Sequence, residues 1–215
     1  MKQIRPDLWE TESYSPFPGL TTHAYLWTPT HGENVLFYSP GAEHDFDAIT
    51  DLGGVARQYL SHRDEAGPML ATIAARFGAR LHAPAPEADE ISRFTPVHVP
   101  LADRHVDDVG IEIVPSPGHT VGSTSYLVPG AAGETYLFTG DTMFTLDGGG
   151  WAAGYIPPMS DADQLAGTLR DVLRPLAPDV VISSAYQGVA VHPLDGTPWS
   201  ACVDAALERL HAQVG

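Results

Sequence analysis

One cysteine, Cys202, stands in 215 residues. An internal disulfide is therefore impossible, and a cysteine-rich zinc site is excluded. Basic residues are also scarce, at 11 Lys and Arg against 27 Asp and Glu, a formal net charge of −16. Such a surface repels phosphate backbones, and no local basic patch interrupts it, so nucleic acid is not expected as a partner. Long hydrophobic runs are missing too. No segment reaches the ~18 consecutive apolar residues of a membrane span, and the opening MKQIRPDLWETESY has no apolar core of signal-peptide length. The expectation is no membrane partner and a cytoplasmic location. Repeats, long linkers and low-complexity blocks are absent, and the length suits one core, so 1–215 reads as a single domain.

What is present is an alternation of short strand-like runs with a few helices. HAYLWTP (His23 to Pro29) and NVLFYSPG (Asn34 to Gly41) read as strands joined by a turn at THGE. ARQYLSH (Ala56 to His62) reads as a strand. A helix follows from about Pro68, with Met69, Leu70, Ile73 and Phe77 at helical spacing and Gly78 as its stop. IEIVPSPG, TSYLVPG and TYLFTGD make the middle strand-rich. Ser160 is the expected cap of a helix carrying Leu165, Leu169, Val172 and Leu173, closed by Pro175. PDVVISSA reads as a buried strand, and a last helix from Pro198 presents Val203, Ala206, Leu207 and Leu210. This order suits two sheets with helices packed outside better than one parallel sheet.

Polar, metal-capable side chains stand just past several apolar runs. They are His62 and Asp64 in YLSHRDEAG, His119 in VPSPGHTVGS and Asp141 in YLFTGDTMF. Imidazoles and carboxylates converging from separate strands are what a divalent cation needs. The glycines beside His119 and Asp141 allow tight turns there. Each piece alone has a plain structural reading: a hydrogen-bonded histidine at a strand end, or an Asx turn.

Together, SPGHTVGSTSYLV and YLFTGDTMF resemble the third and fourth motifs of the metallo-β-lactamase-fold superfamily. LSHRDEAG sits where its histidine-rich second motif belongs and VLFYSPG where its first does, so the resemblance covers about His23 to Ser184. It implies an α+β fold, an αββα sandwich of two mixed sheets flanked by helices, with the active site at one edge between the sheets. It also exposes departures. The second motif, His-x-His-x-Asp-His, falls on His62, Asp64, Ala66 and Gly67; the final Gly-His falls on Ser184 and Ala185; the first-motif aspartate is Ser39. The resemblance thus implies that the second of the family's two metals has lost its ligands at Ala66, Gly67 and Ala185. The first would keep His62, Asp64, His119 and the bridging Asp141, a set that suits one zinc, iron or manganese ion. His192 is a candidate substitute ligand, weighed below a surface histidine. An empty site, with His119 bonded to Asp141 and Asp64 to Arg63, stands level with a single-metal one.

On this reading the chain is a hydrolase of a small ester, thioester, lactone or amide, with Asp64 or Asp141 orienting the attacking water. The alternative is a metal-free, non-catalytic relative that binds a ligand or partner in the old cleft. A redox iron protein of the same fold ranks third. The glycine-rich TLDGGGWAAGYIPPM (Thr145 to Met159), with Trp151 and Tyr155, and SYSPFPGLTTHAY are candidate pocket walls, and Tyr186 a candidate pocket hydroxyl. A homodimer would use an exposed edge or the last helix.

Overall fold

The computed structural model describes residues 1–15 and 20–215. The first half runs β1 (Lys2–Arg5), β2 (Leu8–Glu10), β3 (Thr21–Thr22), β4 (Tyr25–Trp27), β5 (Val35–Phe37), α1 (Phe46–Asp51), β6 (Arg57–Tyr59), α2 (Met69–Phe77), β7 (Arg80–Pro84), α3 (Ala88–Ile91) and β8 (Val99–Leu101). The second runs β9 (His105–Val106), β10 (Glu112–Pro115), β11 (Thr124–Pro129), β12 (Thr135–Gly140), β13 (Met143–Thr145), β14 (Trp151–Ala153), α4 (Ala162–Gly167), β15 (Val180–Ser183), β16 (Ala185–Tyr186), β17 (Val191–Pro193) and α5 (Trp199–Val214).

Two mixed sheets result. One has the order β1-β2-β4-β5-β6-β7-β8, and the other β17-β15-β12-β11-β10-β9. In the first, β5, β6, β7 and β8 run parallel, with Phe37 opposite Tyr59. In the second, β12 and β15 are parallel and the remaining pairs antiparallel. The alternation of strand side chains explains the layers. On β12, Tyr136 and Phe138 join the cluster between the sheets, where Phe37 stacks on Phe138 with ring centroids 4.0 Å apart. Leu137, between them, joins Val181, Leu165, Leu169, Val203 and Leu210 under α4 and α5. On the first sheet, Leu60, Leu81 and Ala83 pack against Leu70 of α2 and Ile91 of α3. The arrangement is an αββα sandwich.

Sequence pattern locates the elements well and their ends less well. Gly78 closes α2 in the left-handed conformation, φ 69°, as its position implies. The run read as a strand to His62 pairs only over Arg57–Tyr59. Beyond it the Ser61 N–H donates to the Glu65 carboxylate at 2.8 Å, so a side chain takes over from the ladder. Ser160 is not the cap of α4. Asp161 is, accepting from the Gln164 N–H, because the Ser160 hydroxyl is spent on the His119 carbonyl.

Candidate metal centre

Strand direction brings the site together. β10, β12 and β15 all run the same way across the second sheet, so the residues following them emerge at one edge: His119, Asp141 and Ser184. β5 and β6 deliver Ser39 and His62 from the first sheet. Side chains at the carboxyl ends of parallel strands commonly gather at such a crevice. One tie between the sheets here is Tyr38, whose backbone sits at φ 69°, a left-handed conformation unusual for a tyrosine. Its hydroxyl accepts from the Gly140 N–H at 2.9 Å and donates to the Ile182 carbonyl at 3.1 Å. Gly140, φ 55°, must be glycine for a second reason: a Cβ there would collide with the Ser61 side chain.

Three of the four expected ligands converge. Donor atoms of His62, His119 and Asp141 all lie within 4.8 Å of one another. Asp141 Oδ2 is 3.7 Å from His62 Nε2 and 3.9 Å from His119 Nε2, beyond hydrogen-bond length. Both Nε2 atoms are buried and have no hydrogen-bond partner within the protein. Buried polar atoms are rarely left so. The far side of each ligand is fixed. His119 Nδ1 lies 2.6 Å from the Gly154 carbonyl, which can only accept, so Nδ1 carries the proton and Nε2 presents its lone pair. Ser61 Oγ donates its one proton to Glu65 at 2.5 Å and therefore accepts from His62 Nδ1 at 2.9 Å. Asp141 Oδ1 accepts from the Ser184 hydroxyl and from the Ala185 N–H, leaving Oδ2 to face the imidazoles.

The electrostatics ask for a cation between these groups. Burial acts to depress the His62 pKa, but Asp141, Glu65 and Asp64 outweigh it and hold it up at about 9. His119 is pushed below its usual range by burial and by the neighbouring His62. Burial would raise Asp141, yet the two imidazoles, Ser184 and Ala185 together bring it down. In the protein without metal, one proton on His62 answers the carboxylate. Two imidazoles and a carboxylate with their other atoms hydrogen-bonded are equally a donor set for zinc, iron(II) or manganese(II). The residues present fit such an ion.

Asp64 stands apart from this cluster. Its side chain is 44 % exposed, with Oδ2 3.9 Å from His62 Nε2 and Oδ1 3.8 Å from Arg63 Nε. It lines the same cleft of about 710 Å³, as do Ser39, Ala66, Gly67 and Ser184. The pairing of His119 with Asp141 expected for an empty site is not a hydrogen bond at 3.9 Å. His192, on β17, pairs with Val181 of β15 and its ring meets Trp151, away from the cleft.

The aromatic walls need correction. Trp151 is buried against Trp199, and Tyr155 packs on the same core under α5; neither lines the cleft. What their segment contributes instead is Ile156, which lines the cleft, and the Gly154 backbone, where a Cβ would clash with Asp141 and crowd His119. Tyr186 does not line the cleft either. Its hydroxyl is tied to His23 Nε2 at 2.9 Å. From the N-terminal segment, Tyr14, Leu20, Thr22 and His23 do line it, while residues 16–19 lie outside the described residues.

Four supporting residues have roles that a motif reading does not give. Ser61, Glu65 and Ser184 act as described, and buried Glu87 accepts from the N–H groups of Arg63 and Gly122, tying the His62 turn to the His119 turn. Glu65 and Ser61 are at least neighbours in sequence, four residues apart. Glu87 and Ser184 are brought in by the fold alone.

Solved structures share this architecture. A metallo-β-lactamase from Pontibacter korlensis superposes with a TM-score of 0.73 over 98 % of this chain and 97 % of that one, at 15 % identity. The chain belongs to the metallo-β-lactamase-fold superfamily. Among sequence relatives, a hydroxyacylglutathione hydrolase from Acidiphilium cryptum is 31 % identical over 125 residues, 57 % of this chain and 50 % of that protein. A probable metallo-hydrolase from Methanocaldococcus jannaschii is 30 % identical over 148 residues, 68 % of this chain and 59 % of that protein. The chain thus spans about half of the first relative and three fifths of the second. No protein-family model matches it. Among the described residues, no helix is long and apolar enough to cross a membrane.

Proposed function

We propose that the protein is a hydrolase acting through one divalent metal ion on a small ester, thioester, lactone or amide. The observation that carries this reading is the pair of buried, unpartnered imidazole nitrogens facing a carboxylate oxygen. His62, His119 and Asp141 would hold the ion, with Asp64 at the open side. Bound there, such an ion polarises a carbonyl and makes water acidic enough to attack near neutral pH. The relatives' names, a hydroxyacylglutathione hydrolase and a probable metallo-hydrolase, support the same class.

The chain's own residues divide the remaining work. Asp141 has committed Oδ1 to Ser184 and Ala185, so it is a fixed ligand rather than a proton carrier. Asp64 is the carboxylate free to orient the attacking water and take its proton. Ala66, Gly67 and Ala185 offer no ligating side chain, and the Ala185 N–H and Ser184 hydroxyl occupy the Asp141 oxygen that a second metal would share. The reading is therefore mononuclear.

Those same three losses favour a second reading, a metal-free protein that binds a ligand in the cleft. Elemental analysis of untagged protein separates the two. About one equivalent of zinc, iron or manganese, lost in His119→Ala, together with chelator-sensitive ester hydrolysis, is the expected result. Protein that takes up no metal after incubation with zinc, manganese or iron(II) would overturn the hydrolase and leave the binding reading.

A further inference from the structure

The cleft has a second property, its charge. None of its described lining residues is lysine or arginine. Residues 16–19, Pro-Phe-Pro-Gly, carry no charge by sequence. The one lysine of the chain, Lys2, lies in a different groove. The nearest arginine in sequence to the site, Arg63, directs its guanidinium toward Glu87, Glu90 and Asp64. Around the cleft stand Asp64, Glu65 and Asp141, whose formal charge exceeds that of one divalent ion, in a protein of net charge −16.

Much of the remaining wall is apolar, alongside Thr22, His23, Ser39 and Ser184. Tyr14, Leu20, Pro40, Pro68, Met69 and Ile156 surround the mouth. Tyr14 and Ile156 keep 47 % and 54 % of their surface exposed, apolar area that an apolar ligand in the cleft would bury. Burying a substrate carboxylate in such a cleft would strip it of water beside Asp64, Glu65 and Asp141, which already outweigh one divalent ion, with no Lys or Arg among the described lining residues to replace the lost hydration.

We infer that the cleft takes an electrically neutral, apolar acyl compound, an aliphatic ester, thioester or lactone, and discriminates against acyl donors that carry carboxylates. This narrows the hydrolase reading above and rests on it. It also separates this chain from its relatives named for hydroxyacylglutathione. The glutathione part of such a thioester bears two carboxylates, which would meet no Lys or Arg among the described lining residues.

The test uses matched probes on the zinc- or manganese-loaded chain. p-Nitrophenyl butyrate and p-nitrophenyl hydrogen succinate differ by a terminal carboxylate, as do hexanohydroxamate and adipic monohydroxamate. Turnover is read as kcat/KM for the esters, and binding as Kd by calorimetry for the hydroxamates. The neutral member of each pair is expected to be favoured by at least about tenfold, with a lactoylglutathione thioester a poor substrate. Ile156→Lys, on the exposed rim, should move both ratios toward the anionic member. Equal or reversed preference in binding overturns the inference and leaves the hydrolase standing. Binding that favours the neutral hydroxamate, with no turnover of either ester, overturns the hydrolase and keeps the charge selectivity. Failure of both hydroxamates to bind overturns the inference as well.

Discussion

His62 and His119 share a feature with His82 on β7: in all three the Nε2 atom is buried and makes no hydrogen bond. Their surroundings are opposite. At the cleft, Asp141 stands within 4 Å of both rings, and carboxylates hold the His62 pKa up at about 9. His82 stacks on Tyr59 with ring centroids 4.2 Å apart; burial, Arg57 and Arg80 push its pKa down to about 4. One environment draws a positive charge in, and the other expels it. An orphaned imidazole nitrogen is therefore not a metal ligand by itself. The sign of the local field, and a second and third donor, decide.

The largest test of that contrast is loss of metal. His119→Ala should take the bound ion from about one equivalent to nearly none, measured by elemental analysis, whereas His82→Phe should leave it unchanged. Metal retained in His119→Ala would place the ion elsewhere and undo the comparison. Asp64→Asn comes next. It should keep the metal but lower kcat roughly 10²-fold or more if Asp64 is the base. If metal is lost instead, Asp64 is a ligand first.

Smaller effects probe the support behind the ligands. Glu65→Gln weakens the acceptor behind Ser61 and His62, and Ser184→Ala removes one of the two donors that turn Asp141. Each should weaken metal affinity about 10-fold, up to 100-fold, read by competition with a chelating dye. Affinities equal to the parent's would mean that packing alone orients His62 and Asp141.

How much of this was legible in the sequence follows from the same contrast. His119 and Asp141 sit in local patterns, Pro-Gly-His-Thr and Thr-Gly-Asp, whose glycines take φ 131° and 55° in the structure. A local backbone requirement leaves a local trace. The sandwich was legible for a similar reason, since residues such as Leu137 and Phe138 alternate between two cores. Ser184, Glu87 and the Gly154 carbonyl left none, because they reach their partners across 43, 35 and 35 residues of chain. Trp151 and Tyr155 misled by adjacency. They follow the Asp141 motif in sequence, but the β13–β14 hairpin turns Trp151 into the core beneath α5. His62 and His82 show the limit most plainly. His62 follows a strand of the first sheet and His82 lies in one, and nothing within five residues of His82 reveals that Arg57, from the neighbouring strand, will stand beside it.

That difference gives the smallest and most specific prediction, in acid stability. The folded pKa of His82, about 4, lies below the roughly 6.5 of an unfolded histidine. Between those values the unfolded chain binds a proton that the folded chain refuses. Stability from this group is thus fully present above pH ~6.5 and falls as the pH drops toward ~4, by about 3 kcal/mol at most. His82→Phe keeps a ring against Tyr59 and removes the titration. Urea unfolding of chelator-treated protein at pH 7 and pH 5 should therefore show a stability change on acidification that is about 2 kcal/mol less favourable in the parent than in His82→Phe. His62, whose folded pKa is raised, contributes with the opposite sign. Its stabilisation is fully present below pH ~6.5 and is lost as pH climbs through about 9. It therefore cannot mimic a His82 effect on the acid side. An identical acid slope in parent and variant would mean that His82 accepts its proton in the folded state, and that Arg57 and Arg80 do not set its field.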